Sequence, residues 1–193
     1  IFSGPTPTAD GFETTFQVNH LAPFLLTNLL MDNLLESKAS VVNTSSVANK
    51  LYGDIDLNDL NNWNHYTPNR AYGNSKLANI LFTKALHNKY HDRGLSAVAF
   101  HPGLVATNFA HDTDSYLRKF YHTTFRKFFT TAEQGGERLR YFIDGKPDID
   151  WKLGEYYEKP GKVGKANKQA YEDYMVDQLW ARSSKMLGKV KSS

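Results

Sequence analysis

The chain has 193 residues, 40% hydrophobic and 13% aromatic, enough for one domain with a proper core and too apolar for a disordered chain. Its 23 basic and 20 acidic residues leave a formal charge of +3, too mild for nucleic acid or an anionic membrane as main partner. The absence of cysteine excludes disulfide scaffolds, cysteine-ligated zinc and thiol nucleophiles, and no run approaches 18 uninterrupted apolar residues, the length that predicts a membrane span.

The chain opens on Ile1 with no basic-then-apolar leader behind it, so the N-terminus reads as a cut. Gly4-Pro5-Thr6-Pro7 is loop chemistry, because proline fixes φ and restricts the residue before it. Asp10 is a candidate cap for the helix that follows. Phe12, Phe16, Leu21, Phe24, Leu25, Leu29, Leu30 and Leu34 recur at helical spacing as far as Glu36, and Pro23 predicts a kink within that run. Ser40 to Ser46 is a short β-branched run ending in hydroxyls, a buried strand. Residues 48–69 are polar and predict a long loop. A second helix runs from about Arg70 to His91 on a stripe of Leu77, Ile80, Leu81 and Leu86, and Gly94 stops it. Leu95 to Phe100 predicts a second buried strand closed by His101-Pro102-Gly103. Residues 114–129 suggest an amphipathic segment and 131–143 a helix. A last short strand falls at Gly154 to Glu158. Lys168 to Leu187 predicts a terminal helix with Tyr171, Tyr174, Met175, Leu179 and Trp180 inward. Strands separated by helices of this length imply parallel pairing and an α/β fold. No internal repeat or low-complexity tract is present.

In open α/β sheets, ligands sit beyond the carboxyl ends of the strands. Two such ends are rich in functional groups here: Thr44-Ser45-Ser46, and His101 through Thr107. Between them the second helix carries Tyr72 and Lys76 at i, i+4, on one helical face. Bringing a phenol pKa from about 10 to near 7 takes roughly 4 kcal/mol of differential stabilisation. A close ammonium in a partly desolvated site supplies much of that. Taken alone, the pair is weak evidence and fits a surface tyrosine stacked beside a solvated lysine better than a catalytic pair.

Further motifs surround this pair. Ala71-Tyr72-Gly73-Asn74-Ser75-Lys76-Leu77-Ala78-Asn79 follows the double serine and precedes Pro102-Gly103-x-Val105-x-Thr107, and Val18-Asn19-His20 sits in the first helix. Together these resemble the short-chain dehydrogenase/reductase family, in its retinol-dehydrogenase-like form. Asn19-His20-Leu21 followed by Phe24-Leu25-Leu26-Thr27 adds to that likeness, as does Ser75 to Phe82. The likeness is dense from about Asp10 to Thr107 and thins afterwards. It implies a Rossmann-like doubly wound parallel sheet with helices on both faces, of which residues 1–193 form a single domain, the C-terminal portion. It also implies hydride transfer between NAD or NADP and a carbonyl or alcohol substrate, lipophilic in the retinoid or steroid manner.

By that resemblance Tyr72 is the general acid/base. Lys76 lowers its pKa and holds the nicotinamide ribose, and Ser46 hydrogen-bonds the substrate oxygen. Asn19 holds a water linking Lys76 to solvent. Pro102, Gly103, Val105 and Thr107 cradle the carboxamide. Each residue has a plainer reading: the serines as a strand end, Asn19 as an inert helix flank, Pro102-Gly103 as a turn. The resemblance further implies a homodimer or homotetramer through the two long helices. It implies a cytoplasmic location, unless an N-terminal anchor precedes the chain.

His87 and His91 share the spacing of zinc-binding helices, yet Asn88 replaces the expected Glu and a third ligand is lacking, so no metal is expected. The aromatic segment Phe109, Tyr116, Phe120, Tyr121, Phe125, Phe128 and Phe129 falls where the resemblance puts a substrate loop. Core packing explains it at least as well, with a membrane-surface helix as a further alternative. The lysines from Lys159 to Lys191 read as a solvated face.

One departure is large. The family begins with a strand and a Thr-Gly-x-x-x-Gly-x-Gly turn whose amides receive the pyrophosphate, and this sequence has no such turn. The alternative to an enzyme is therefore a non-catalytic Rossmann-derived interaction module or an inactive fragment. Without that opening the Ser40–Ser46 strand is expected to have an exposed hydrophobic edge, and without the amide cradle this 193-residue chain by itself is expected to bind NADPH more weakly than micromolar. A fluorescence titration showing a micromolar Kd would overturn that expectation.

Overall fold

The computed structural model describes residues 2–103 and 130–190. The predicted elements at 114–129, together with Val105 and Thr107, lie outside the described residues.

The first helical run begins later than Asp10. Glu13 is the N-cap of α1 (Thr14–Phe16), its carboxylate accepting from the backbone N–H groups of Thr15 and Phe16. Asp10 instead accepts from the side chain of Gln17. A carboxylate reaches the free N–H groups of the first turn from either position, and the observed start is the one that buries Phe16. A π-helical turn, Gln17–Leu21, then inserts one extra residue before α2 (Ala22–Leu29) and α3 (Met31–Glu36). The turn sits immediately before Pro23, whose ring clashes with an α-helical carbonyl four residues back. The expected kink takes this form. It also rephases the helix: Phe16, His20, Leu21 and Phe24 point inward, while Leu29 and Leu30 are exposed, contrary to the simple periodicity.

β1 (Ser40–Thr44) leads into a short helix, α4 (Ala48–Leu51), inside the segment expected to be all loop. α5 (Pro68–Tyr90) starts at a Thr67 cap, with Pro68 at its first position where no N–H is needed. Gly94, in the left-handed region at φ 93°, ends the helix after one 3₁₀ turn. β2 (Ser96–Phe100), α6 (Ala132–Asp144), β3 (Tyr156–Lys159), β4 (Lys162–Val163) and α7 (Asp173–Val190) complete the order. α6 opens with a capping box between Thr131 and Gln134. On α7, Met175, Val176, Leu179 and Ser183 face inward. Tyr171 and Tyr174 are exposed, correcting the expected stripe, because the helix begins only at Asp173 and a separate 3₁₀ turn holds Tyr171.

The sheet order is β1-β2-β3-β4, with β1, β2 and β3 parallel and β4 antiparallel to β3. This is the α/β architecture the alternation implied. β2 is buried along its whole length, and its side chains divide by parity. Ala97 and Ala99 face the layer of α2, α5 and α7, where small residues let the helices approach. Val98 and Phe100 face Phe142 of α6, Trp151 and Tyr157 on the opposite side. Helices therefore cover both faces. β1 pairs only with β2 among the described residues, and Val41 and Val42 are half-buried. It is thus a half-buried edge strand here, with the exposed edge expected of a chain that lacks the glycine-rich opening of the fold. Among the described residues, no helix is long and apolar enough to cross a membrane.

α5 is the axis of the core: Leu77, Ile80, Leu81 and Leu86 are all fully buried, each worth about 1.5–3 kcal/mol of burial. Its approach to α4 depends on Gly73, where a Cβ would sit 2.7 Å from backbone and side-chain carbons of Tyr52 and 2.9 Å from the Ala48 carbonyl oxygen. Gly73→Ala is expected to cost about 1–3 kcal/mol despite alanine's better helix propensity. A thermal or urea melt equal to wild type would show that α4 yields freely.

Candidate functional site

The parallel register pairs Thr44 with Phe100, and the Ser45 N–H continues the ladder by donating to the Phe100 carbonyl at 2.8 Å. The Ser45-Ser46 and His101-Pro102-Gly103 ends therefore lie side by side at the carboxyl edge of the sheet. α5 is bonded to that edge, because Ser45 Oγ donates to the Lys76 carbonyl at 2.8 Å. The two serines thus differ. The Ser45 hydroxyl is spent on the helix, while Ser46 Oγ accepts from the Ala48 N–H at 3.2 Å, and its own proton has no acceptor among the described residues.

Lys76 Nζ lies over the Tyr72 ring, 5.5 Å from its centroid, within range of a cation–π attraction. Burial lowers the Lys76 ammonium pKa to about 8, because a low-dielectric setting penalises the charged form. Asn19 approaches from the π-helical turn. Its Nδ2 donates to Ser75 Oγ at 3.0 Å, and Ser75 Oγ donates to the Tyr72 carbonyl at 2.8 Å. Asn19 Oδ1 has no protein partner among the described residues.

At the second strand end, Gly103 has φ 99°, a conformation that strains any residue with a Cβ, and a Cβ there would meet Thr130 Oγ1 at 2.3 Å. Pro102-Gly103 is consequently a tight turn as well as a strand terminus. Arg138 of α6 braces it, Nη1 donating to the His101 and Glu158 carbonyls at 3.4 and 3.1 Å. Asn19, Ser46, Tyr72, Lys76, Pro102 and Gly103 thus belong to one end of the sheet and the helix seated on it.

Polar residues to which the motif reading gave no role support this edge. His20 and Asn79 are buried beside it. Asn49 Nδ2 donates to the Ser46 carbonyl at 2.5 Å, and its Oδ1 accepts from the Asn167 N–H at 3.0 Å. Asn167 Nδ2 in turn donates to the Gly53 carbonyl at 2.7 Å. A sequence signal for His20 existed: it shares the phase of Phe16 and Phe24, where an apolar residue is expected. Asn49 and Asn167, 118 positions apart, leave no comparable trace.

His87 and His91 stack with ring centroids 4.4 Å apart, and His91 Nδ1 bonds the His87 carbonyl at 2.6 Å. No group of three His, Asp or Glu side chains suited to a metal occurs among the described residues.

Two histidines make the fold acid-sensitive. Burial holds His20 and His101 neutral, each with its pKa lowered from 6.5 to about 4, Arg138 adding to the effect at His101. Between those values the unfolded chain binds protons that the folded chain refuses, so stability falls as pH drops from about 6.5 towards 4. The fully buried His20 alone accounts for about 3 kcal/mol. Urea midpoints are expected to decline across this window, and a flat profile would contradict the burial of both rings.

Comparison with known proteins points one way. The short chain dehydrogenase family profile matches residues 5–117. Retinol dehydrogenase 12 of Mus musculus is 38% identical over 182 residues, covering 94% of this chain and 56% of that protein. Retinol dehydrogenase 11 of Homo sapiens is 41% identical over 184 residues, covering 94% and 56%. The chain thus spans a little over half the length of these relatives. Among solved structures, an uncharacterised protein from Mycobacterium paratuberculosis superposes with a TM-score of 0.69 at 30% identity, covering 95% of this chain and 62% of that one. An NADPH-bound carbonyl reductase from chicken fatty liver shares the fold, with a TM-score of 0.55 at 23% identity, covering 84% and 62%.

Proposed function

The chain belongs to the short-chain dehydrogenase family, and on that premise we propose that the intact protein is an NAD(P)-dependent oxidoreductase interconverting a carbonyl and an alcohol. The similarity to retinol dehydrogenases supports a lipophilic substrate of retinoid or steroid type. The observation that carries the reading is the Ser45 Oγ–Lys76 carbonyl bond. It seats the helix bearing Tyr72 and Lys76 against the strand end bearing Ser46.

The residues present fit the nicotinamide half of such a cofactor. A desolvated ammonium beside a phenol suits a ribose diol, and Pro102-Gly103 supplies backbone groups at a strand end; Val105 and Thr107, next in the sequence motif, are assigned to the same carboxamide cradle by the family resemblance alone. The pyrophosphate half has no glycine-rich turn in this sequence. When bound, the nicotinamide would supply or accept the hydride.

This chain's own residues handle the proton and the polarisation. Ser46 donates its hydroxyl proton, which has no acceptor among the described residues, to the substrate oxygen, stabilising charge as it develops. Tyr72 gives its phenolic proton to that oxygen in reduction and, as phenolate, removes it in oxidation. Lys76, still largely charged at neutral pH, stabilises the phenolate and loses that ability as pH rises through about 8. Asn19 keeps its Oδ1 for the water that returns the proton to solvent. Exposed Val18, Leu26 and Leu29 on the first helical run support assembly of the intact protein into a dimer or tetramer.

Tyr72→Phe in the intact protein is expected to lower kcat about 10²–10⁴-fold, with NAD(P)H binding retained. Undiminished carbonyl reduction would sink the catalytic reading in favour of an interaction module.

A further inference from the structure

His20 is completely buried, its ring surrounded by Phe16, Phe24 and Phe82 at centroid distances of 5.1, 5.9 and 6.1 Å. An imidazole in such a site loses its hydration and needs both nitrogens satisfied. They are satisfied by two distant elements. Nδ1 meets Asn79 Oδ1 of α5 at 3.3 Å, and Nε2 meets Ser183 Oγ of α7 at 3.0 Å.

The direction of each bond follows from what lies beyond. Asn79 Nδ2 donates to two backbone carbonyls, those of Asn19 at 3.0 Å and Thr44 at 3.1 Å. Only the amide NH₂ has two protons, so Nδ2 must face the carbonyls and Oδ1 must face the ring. Oδ1 is an acceptor, hence His20 carries its proton on Nδ1. A neutral ring then leaves Nε2 as the acceptor for the Ser183 hydroxyl. The chain runs one way, from α7 through His20 and Asn79 to two main-chain oxygens.

Those two oxygens are the supports of the proposed site. Thr44 is the last residue of β1, directly before Ser45 and Ser46. Asn19 holds Ser75, which holds the Tyr72 carbonyl. Pro23 has no N–H to give the Asn19 carbonyl its α-helical partner four residues on. The Asn79 amide supplies a donor in its place, so the kink that exposes this carbonyl is matched by the group that fixes it.

We infer that His20, Asn79 and Ser183 are positioning residues, a directional hydrogen-bond relay by which the C-terminal helix sets the relative placement of the Ser46 strand end and the Tyr72–Lys76 helix face. The inference rests on the oxidoreductase reading above. Loss of the relay leaves substrate and cofactor contacts in place but lets the proton donor and the oxygen-holding serine drift apart. Such displacement reduces turnover more than binding.

The test uses the intact protein with NADPH or NADH and a lipophilic aldehyde. Asn79→Asp, of the same shape but unable to donate to either carbonyl, is expected to lower kcat about 10–100-fold with KM within about two-fold. His20→Leu is expected to do the same. His20→Asn, which keeps an N–H where Nδ1–H stands, is expected to recover kcat to within about five-fold of wild type. Ser183→Ala, remote from the sheet edge and the mildest change, is expected to lower kcat about three- to ten-fold, with a melting temperature lower by only about 2–8 °C because Nε2 loses its donor. It decides the matter if the His20 variants do not fold. ¹⁵N NMR of histidine-labelled wild type is expected to show His20 as the Nδ1–H tautomer, a readout independent of turnover. An Nε2–H tautomer overturns the proposal, as does equal kcat in His20→Leu and His20→Asn, or wild-type kcat in Ser183→Ala. Wild-type protein that binds NAD(P)H but turns over no aldehyde or alcohol instead fails the oxidoreductase reading, and the relay's role falls with it.

Discussion

The seating of α5 on the carboxyl end of β1 sets where Tyr72 and Lys76 stand relative to Ser46. Gly73 lets the helix lie against α4 with no Cβ between them. Two turns along, Asn79 reaches the Thr44 carbonyl, and between these points Ser45 Oγ is bonded to the Lys76 carbonyl. Three attachments along one helical face leave little freedom for rotation or sliding; Lys76 lies within the stretch they bracket, and Tyr72 directly precedes it. Rigid elements joined in this manner hold a site more accurately than loops do.

The same packing sets the electrostatics. Removing water from beside Lys76 weakens its hold on a proton, bringing an ammonium into the range where it titrates near neutrality. Removing water from around His20 has the opposite utility. It keeps the ring neutral, and a neutral ring has one donor and one acceptor, which is what a directional chain requires. Burial therefore makes one group chemically responsive and another structurally fixed, within a single helix layer. The cost is stability in acid, because the unfolded chain can protonate what the fold cannot.

Much of this was legible in the residues alone. The alternation of helix and strand, the stop at Gly94 and the pairing of Tyr72 with Lys76 on one face all follow from local spacing. Errors arose where one residue shifted a phase. The π-helical turn before Pro23 moved Leu29 and Leu30 to the surface. The start of α7 at Asp173 left Tyr171 and Tyr174 outside. Ser45 and Ser46 are adjacent and chemically identical, so only their partners, Lys76 and Ala48, distinguish a structural hydroxyl from one with its proton to spare.

By itself the sequence determined the α/β class, the family, and which residue types gather at two strand ends, because hydrophobic period, turn chemistry and motif order are local properties of a chain. The tertiary structure decided that Ser46 rather than Ser45 has a hydroxyl proton without an acceptor among the described residues, and that His20 is a neutral link between the C-terminal helix and the site. Those outcomes depend on which polar atoms lose their water together. Desolvation and hydrogen-bond direction are fixed only when residues far apart in the chain, such as His20 and Ser183, are brought into contact.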